Sequence, residues 1–492
     1  MRYEEYFRKF NSNDSETMKN HIPNDRAEEF LLKNAPRLYC PDSVIEETFA
    51  FRTWTMRKHI RKTPEGFVIT EFLPDVSWAG KYNTINCPLF HHLREFRWLK
   101  SADDYLDYIT FFLKGEGSKY SYHDPALAAM YDFCVLTGNE QYLKDNVTAF
   151  EAYFDGWKKE HYTENGLYTS VDNREGTEYS ISGTTPEFKM LSGFRPLMNG
   201  CMYGDAAALA KIERLSGRED MAARYEAAAE SIKQAMDEKM WDGDFYKAVH
   251  PLHQELDRPC DFNDIPKEQN VRELVGYVPW IYAMPDEGKE KAFIYLKDSS
   301  VFKAKTGLAT ADISHPRFLY DVSGRGCTWN GKVWPFATSL VLSAVITLLS
   351  EYKQSVISDS DLYGFTKTYA EMHYLEEDGR RVNFIDEVML PFDYVWDVHE
   401  KYRQLGYIPS ESGGKDRGKD YNHSTFIDIV LRGLCGVDDK ADELCVAPRI
   451  RGIWKWFKIE NLTYKKKTYN VYYDEDGSVF GKGCGVRIEE II

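Results

Sequence analysis

Residues 329–335 read Trp-Asn-Gly-Lys-Val-Trp-Pro, and here a long polar loop gives way to an apolar helix. Proline suits the first turn of a helix, where its missing N–H group costs no hydrogen bond. The apolar residues that follow, up to 351, predict one continuous helix. The stretch therefore indicates a helical chain whose connecting loops are long and rich in aromatic and amide groups.

This alternation of helix and long loop recurs along most of the chain. Apolar periodicity and helix-ending residues predict further helices over 124–137, 141–158, 199–215, 219–240, 286–298, 361–376 and 423–434. The long loops between them cover 165–198, 241–275, 303–334 and 377–422, and loops of such length are usually functional. Because no fixed internal period supports a solenoid, the pattern favours a ring of paired helices with its long loops at one mouth.

Both ends of the chain differ in texture from this central part. Residues 1–86 form a lead-in with helical and β-like segments, and residues 448–492 alternate apolar and polar positions. Four strands are predicted in this tail, over 454–459, 462–465, 468–473 and 485–489. The sequence Asp-Glu-Asp-Gly at 474–477 predicts a turn between the last two strands. We therefore expect a lead-in over 1–86, a helical domain over 87–447 and a small β-unit over 448–492.

Composition excludes several classes of protein. A net charge of −16 argues against nucleic acid and anionic membranes as partners. The nine cysteines are scattered without a Cys-x-x-Cys pair, which argues against a disulfide framework and a zinc site. The N-terminus lacks an apolar leader, and the longest nearly apolar run, 340–349, is too short to span a bilayer. The sequence predicts a soluble, cytoplasmic protein without cofactor or metal.

Two short segments each place one carboxylate among aromatic, hydroxyl and basic residues. Gly-Thr-Glu-Tyr-Ser-Ile-Ser-Gly at 176–183 contains Glu178, and His-Glu-Lys-Tyr at 399–402 contains Glu400. Crowding by other carboxylates would keep Glu178 protonated, as a general acid must be, whereas His399 or Lys401 would keep Glu400 ionised. Two carboxyl groups in opposite protonation states are what the cleavage of a glycosidic bond requires. The alternative is that both are ordinary surface groups.

Aromatic and amide residues in the loops are candidates for holding a sugar. Trp329 and Trp334 could stack on a sugar ring while Asn330 binds its hydroxyl groups; the alternative is a hydrophobic helix entry. Further candidates precede helices or flank the β-like segment near residue 70. They are Arg195, Asn199, Tyr421, His423, Trp54, Arg57, Tyr82 and Asn83.

Taken together, these strings resemble the inverting glycosidases built on an (α/α)6 barrel, which include trehalases and glucosidase-I-type enzymes. Residues 176–180 stand where that clan has its acid, with Glu178 replacing the usual Asp. Residues 400–402 match the Glu-Lys-Tyr string that holds the trehalase base, and 329–334 match a Trp-x-Gly-x-x-Trp string. Residues 67–98 and the β-rich tail also resemble six-hairpin glycosidases of gut bacteria, some relatives of which remove β-L-arabinofuranose.

The resemblance implies a mainly α fold, an (α/α)6 barrel over 87–447 with a short C-terminal β-unit. It also implies an exo-acting, inverting glycoside hydrolase, α-glucosidase-like or trehalase-like, or alternatively β-L-arabinofuranosidase-like. Glu178 would be the acid and Glu400 the base, with their carboxyl groups about 6.5–9.5 Å apart. The substrate would be an oligosaccharide or glycoside. A sugar epimerase and a catalytically silent glycan-binding protein remain alternatives, and the oligomeric state is left open.

Overall fold

The structure, a computed structural model, describes residues 2–18, 20–250, 270–322, 326–377, 379–405, 413–414 and 416–491. Its α-helices are α1 (Arg2–Asn13), α2 (Asn24–Asn34), α3 (Ser43–Met56), α4 (Leu89–Phe96), α5 (Leu106–Leu113), α6 (Leu127–Leu136), α7 (Glu140–Asp145), α8 (Val147–His161), α9 (Pro196–Leu215), α10 (Glu219–Lys239), α11 (Val278–Ile281), α12 (Pro335–Glu351), α13 (Asp359–Glu371) and α14 (Asp397–Leu405). A π-helix covers Ile429–Leu434, and the longest 3₁₀ segment covers Glu290–Lys297.

The strands form one sheet and several short hairpins. They are β1 (Arg37–Tyr39), β2 (Ile60–Thr63), β3 (Gly66–Ile69), β4 (Thr169–Ser170), β5 (Gly193–Phe194), β6 (Tyr374–Glu377), β7 (Arg380–Asn383), β8 (Trp456–Tyr464), β9 (Lys467–Asp474) and β10 (Gly485–Ile491). The sheet has the order β1-β8-β9-β10, so a strand of the lead-in pairs with the C-terminal β-unit. The other strands pair two by two as β2-β3, β4-β5 and β6-β7.

The helices form an (α/α)6 barrel, as predicted. Within the described residues, the inner ring runs through α4, α6, α9, α11, α12 and the π-helix, each packed on the next. Helices α8, α10 and α13 pack behind this ring. Burial follows the layer: α12 is buried from Pro335 to Leu348, whereas α10 buries one face with a spacing of three to four residues. No helix among the described residues is long and apolar enough to cross a membrane.

The boundaries of helices agree with the sequence-based prediction where residues that start or end a helix are present. The predicted helix 335–351 coincides with α12, and 199–215 and 219–240 correspond to α9 and α10. The predicted helix 141–158 is instead two helices, α7 and α8, and 361–376 ends early because its last residues enter the β6-β7 hairpin. The predicted strands 454–459 and 462–465 are one strand, β8, with an irregularity between Ile459 and Leu462.

A buried cluster of ions closes the ring between its first and last inner helices. Arg97 follows α4 and binds Asp428 Oδ1 at 2.5 Å and Asp439 Oδ2 at 2.8 Å. Arg432 binds both carboxylates from the π-helix side. Burial alone would raise the pKa of Asp428, but the charges of Arg97 and Arg432 outweigh it and hold this pKa below its ordinary value. The closure therefore depends on a charged carboxylate in the protein interior.

We expect D428N to lower the free energy of unfolding by about 3–5 kcal/mol, because it removes one of the two carboxylates that balance the buried guanidinium groups of Arg97 and Arg432. Urea unfolding at pH 7 measures the change. The control is D442N, since Asp442 is fully exposed and pairs with Lys465 at the surface, so its loss should leave the unfolding midpoint nearly unchanged. Equal unfolding midpoints for the two variants would contradict this account of the closure.

Candidate active site

The long loops surround a cavity of about 410 Å³ at one end of the ring. Its wall comes from the segment after β3, the loops before α4 and α9, the entry to α12, helix α14 and the loop before the π-helix. Three carboxylates, several aromatic rings and two cysteines face it. The lining residues are Glu71, Phe72, Trp78, Cys87, Tyr122, Gly176, Glu178, Tyr179, Gly326, Cys327, Trp334, Glu387, Val398, Lys401, Tyr402, Leu405, Arg417, Tyr421 and His423.

Glu178 lines this cavity and is partly buried. Burial raises its pKa to about 8, and the nearby negative charges of Glu387, Asp172 and Glu71 add to the shift. At neutral pH this carboxyl group therefore carries its proton. The sequence predicts crowding by the neighbouring carboxylates Asp172, Glu175 and Glu187. Asp172 contributes as predicted, whereas Glu387 and Glu71 come from segments distant in sequence.

The loop that carries Glu178, residues 171–192 between β4 and β5, is fixed by Arg195, and we call it the acid loop after its carboxyl groups. The guanidinium group of Arg195 is fully buried and donates to Glu175 Oε2 at 2.7 Å. It also donates to three hydroxyl groups of the same loop, those of Ser182, Thr177 and Ser180, at 3.1–3.2 Å. The sequence predicts Arg195 as a sugar ligand, and the structure corrects this: its buried guanidinium group fixes the acid loop instead.

Two further contacts fix the backbone at Glu178. The Trp329 N–H group donates to the Glu178 carbonyl oxygen at 2.9 Å, which joins the 329–335 stretch to the acid loop. Gly176 has a φ of 65°, and a Cβ atom there would lie 2.7 Å from Cys87 Sγ. Glycine is required at this position both for the left-handed backbone and for the close approach to Cys87.

Glu387 is the second cavity carboxyl group, and it has close partners in the wall. Arg417 Nη2 lies 2.7 Å from its Oε1 and 2.9 Å from its Oε2, and the Cys327 thiol donates to Oε2 at 2.6 Å. Within the described residues, Oε1 has the Arg417 charge beside it but no well-aligned donor, and this oxygen is buried.

Glu71 forms a third polar group in the wall with Tyr421 and His423. Its Oε1 accepts a hydrogen bond from the Tyr421 hydroxyl group at 2.8 Å and lies 2.9 Å from His423 Nδ1. His423 Nε2 lies 3.7 Å from Cys87 Sγ, which places this group next to the acid loop. The structure thus brings the predicted residues Tyr421 and His423 to the same cavity as Glu178.

Glu400 is not brought to Glu178, and its expected position needs correction. It lies on the outer side of α14, with its carboxyl group bound to Arg403 at 3.0 Å and to Gln404 at 2.8 Å. Those partners lower its pKa. The Glu-Lys-Tyr string reaches the cavity through Lys401 and Tyr402 instead, and the Tyr402 ring lies 4.9 Å from the Arg417 guanidinium group. A helix presents residues two apart on different faces, which is why Tyr402 points inward and Glu400 does not.

The 329–335 stretch contributes one cavity-facing ring rather than two. Trp334 lines the cavity, and Trp329 stacks behind it with ring centroids 4.8 Å apart. Asn330 is buried and donates to the Tyr320 carbonyl oxygen at 2.8 Å. Asn199, also buried, bonds both backbone groups of Tyr168. Direct sugar contacts predicted for Trp329, Asn330 and Asn199 are therefore not supported by their placement.

The candidates from the lead-in serve the protein interior. Trp54 is buried against Phe10 and Phe51, and Arg57 is buried and donates to the Ile22 carbonyl oxygen. Tyr82 packs on Phe111 outside the wall. Asn83 has an indirect role, because it bonds the backbone of Phe72, Pro74 and Val76 and so fixes the segment that carries the cavity residues Phe72 and Trp78.

Sequence reasoning missed Glu71, Glu387 and Arg417 as wall residues. Glu71 follows the apolar strand β3, and Glu387 stands in Phe-Ile-Asp-Glu-Val-Met-Leu at 384–390, a mostly apolar run. A carboxylate inside an apolar run indicates a buried group with a partner or a function, since unpaired charges are rarely buried. That signal was available, whereas the pairing with Arg417 depends on the fold.

We expect R195M to lower the free energy of unfolding by about 3–5 kcal/mol, because the buried carboxylate of Glu175 would lose its countercharge. Urea unfolding monitored by tryptophan fluorescence measures it. R174M is the matched control: Arg174 lies on the same loop, is exposed and donates to the Ser121 carbonyl oxygen. If R195M were as stable as R174M, Arg195 would not be the residue that fixes the acid loop.

Comparison with known proteins agrees with this fold. A solved structure named "Sialidase" is 30% identical over 99% of this chain with a TM-score of 0.87, and this chain spans 43% of that chain. The GH63 mannosylglycerate hydrolase from Thermus thermophilus, in complex with glucose, has a TM-score of 0.52 at 11% identity, covering 78% of this chain and 98% of that one. A bacterial glucoamylase complexed with acarbose has a TM-score of 0.53 at 11% identity, covering 83% and 58%. No curated protein matches the chain.

These structures confirm the predicted resemblance to (α/α)6-barrel glycosidases. The family profile described as "Mannosylglycerate hydrolase MGH1-like glycoside hydrolase domain" matches residues 81–424, which include every lining residue named above except Glu71, Phe72 and Trp78. The profile covers 344 of the 492 residues. The chain belongs to the MGH1-like glycoside hydrolase family.

Proposed function

We propose that the protein is an exo-acting, inverting glycoside hydrolase that removes a terminal sugar from an oligosaccharide or glycoside. The observation that carries the proposal is a protonated carboxyl group, Glu178, facing the same cavity as a carboxylate, Glu387, paired with a guanidinium group. Glu178 donates its proton to the departing oxygen, and Glu387 takes a proton from the attacking water. Inversion follows when a water molecule fits between the base and the anomeric carbon.

The size of the cavity favours action on a chain end. About 410 Å³ lies near the lower limit of small-ligand sites, which cover about 300–1,000 Å³. Trp334 offers its ring to one sugar face, and its indole N–H group is fixed by the Thr328 carbonyl oxygen at 3.0 Å. Glu71, Tyr421 and His423 supply hydrogen-bonding groups for the hydroxyl groups of the same sugar.

The charges of the wall favour a neutral sugar over an anionic one. Arg417 and Lys401 are each paired with a carboxylate, Glu387 and Asp397, so their positive charges are already balanced. Glu71 adds a further acidic group. A terminal glucose, as in α-glucosidases and trehalases, or an arabinofuranose therefore suits the wall better than sialic acid. The epimerase alternative loses support because His423 is the one histidine that lines the cavity in the described part of the chain.

Three glutamine substitutions test the assignment of acid and base. E178Q should lower kcat about 10²- to 10⁴-fold on substrates with poor leaving groups, and less on nitrophenyl glycosides, whose leaving group needs little protonation. E387Q should lower kcat to a similar extent on both, because water activation does not depend on the leaving group. E400Q should stay close to the wild type, since Glu400 faces away from the cavity.

A panel of nitrophenyl glycosides and natural oligosaccharides, including sialosides, provides the assay, and NMR of the first-formed anomer reports inversion. If E400Q were inactive and E387Q active, the base would be Glu400 of the Glu-Lys-Tyr string rather than Glu387. Turnover by the wild type on no member of the panel would favour the glycan-binding alternative. Circular dichroism confirms that each variant is folded.

The pH profile of kcat/KM should fall on its alkaline side near pH 8, because Glu178 must hold a proton to act and its pKa is about 8. Asp172 contributes part of this shift, and burial raises its own pKa to about 6, so it is ionised at pH 8. D172N removes that negative charge, makes ionisation of Glu178 easier and should move the alkaline limb to lower pH. E187Q, which removes an exposed carboxylate nearby in the chain, is the control and should leave the limb unchanged.

A further inference from the structure

A row of aromatic side chains leads from the cavity wall to the protein surface. Tyr179 lines the cavity, Phe188 lies next to it with ring centroids 6.5 Å apart, and Tyr320 follows with centroids 6.0 Å from Phe188. Tyr320 is 57% exposed, although large aromatic side chains are mostly buried elsewhere in this chain. We call these three residues the aromatic track.

The backbone along the aromatic track adopts a conformation that its residues disfavour. Tyr179 has a φ of 59°, Phe188 a φ of 62°, and Leu319, next to Tyr320, a φ of 53°. Bulky residues rarely occupy this left-handed region, and each instance costs on the order of 1–3 kcal/mol unless the surroundings enforce it. Such strain collects at ligand sites, so its repetition along one row of rings is a second sign of function.

The surroundings do enforce the track. Arg317 donates to the carbonyl oxygens of Ile181, Thr184 and Thr185 at 2.7–3.1 Å and so binds the acid loop to the segment that carries Tyr320. Asn330 holds the same segment, because its side chain donates to the Tyr320 carbonyl oxygen and its own carbonyl oxygen accepts from the Leu319 N–H group. The rings are therefore fixed relative to Glu178 and need no large ordering on binding.

The position of the acid decides which part of a substrate meets these rings. A general acid contacts the glycosidic oxygen, so the leaving group begins at Glu178. The track starts at the next residue, Tyr179, and runs outward to the surface. With the terminal sugar beside Trp334, the part attached to it has the row Tyr179, Phe188 and Tyr320 as a path to the surface.

We propose that the aromatic track binds the leaving-group part of a glycan, its second and third sugars from the cleaved end, through stacking on their apolar faces. The proposal rests on the proposed function for the direction of the substrate. It identifies the substrate class as oligosaccharides of at least three sugars. A small acidic leaving group such as glycerate would end before it reached Phe188 and would make no use of Tyr320.

Binding and turnover test the proposal separately. The folded E178Q variant, which should bind without cleaving, is incubated with an array of neutral gluco- and arabino-oligosaccharides of two to six sugars. E178Q carrying F188A and Y320A is compared with E178Q carrying Y162A. Tyr162 is an aromatic residue that follows α8, is 38% exposed and lies outside the wall. We expect affinity to rise from two to three or four sugars in E178Q and with Y162A, and to lose about 2- to 10-fold per ring with F188A and Y320A.

Each outcome decides one of the two proposals. The track is overturned if affinity does not change with chain length. It is also overturned if affinity rises with chain length as much in the F188A/Y320A background as in the Y162A background. Length-dependent binding without turnover in the wild type supports the track and overturns the hydrolase. A shift from dimer to monomer in F188A/Y320A by light scattering, with glycan binding unchanged, would make these rings an interface between copies of the chain and also overturn the track.

Discussion

The buried ion cluster around Asp428 is the constraint on which the site depends. It ties the segment after α4 to the π-helix, and neighbouring contacts repeat the closure: Glu95 caps the N–H group of Ile427, and His92 Nε2 lies 2.6 Å from the Asn422 carbonyl oxygen. His423 follows directly. A ring of helices has no sheet to fix its register, so this closure determines how deep Tyr421 and His423 stand in the cavity. The energetic cost of burying several charges is offset only because each guanidinium group has a carboxylate partner.

The acid loop shows how the fold maintains an unfavourable protonation state. Glu178 is kept neutral by burial and by other carboxylates, while the adjacent Glu175 is held by Arg195. The pKa of Glu178 is raised in the folded state from the ordinary value of 4.5 to about 8. The contribution of this group to stability therefore falls as the pH rises from about 4.5 to 8. Arg195, the hydroxyl groups it binds and the Trp329 N–H group hold the loop against this penalty. In one loop, Glu178 lowers stability for the sake of its proposed role, and neighbouring residues restore stability.

The architecture could be predicted from the sequence, and so could the raised pKa of Glu178, whose role as the acid stays a prediction. Helix periodicity and Pro335 predict α12 to the residue, and crowding by carboxyl groups predicts the raised pKa. The partner of Glu178 could not be predicted in the same way. Whether Glu400 or Tyr402 faces the cavity depends on the rotation of α14, and the pairing of Glu387 with Arg417 joins segments that no local pattern connects. For Arg195 and Asn330 the sequence predicts sugar contacts, whereas in the structure these buried groups bind the protein itself, because a guanidinium or amide group binds protein acceptors as readily as sugar hydroxyl groups.

Specificity in this arrangement is divided between two surfaces with different physics. Inside the cavity, Glu71, Tyr421 and His423 hydrogen-bond one another, and in the proposed site they would meet the hydroxyl groups of the terminal sugar. Outside it, the rings of Phe188 and Tyr320 would add contact area that responds to chain length and apolar shape rather than to hydroxyl pattern. The 329–335 stretch connects the two, since Trp334 faces the cavity while Asn330 fixes the Tyr320 segment. On the two proposals, a change in this stretch would affect both the terminal sugar and the leaving group, and it would also reach Glu178 through the bond from the Trp329 backbone N–H group.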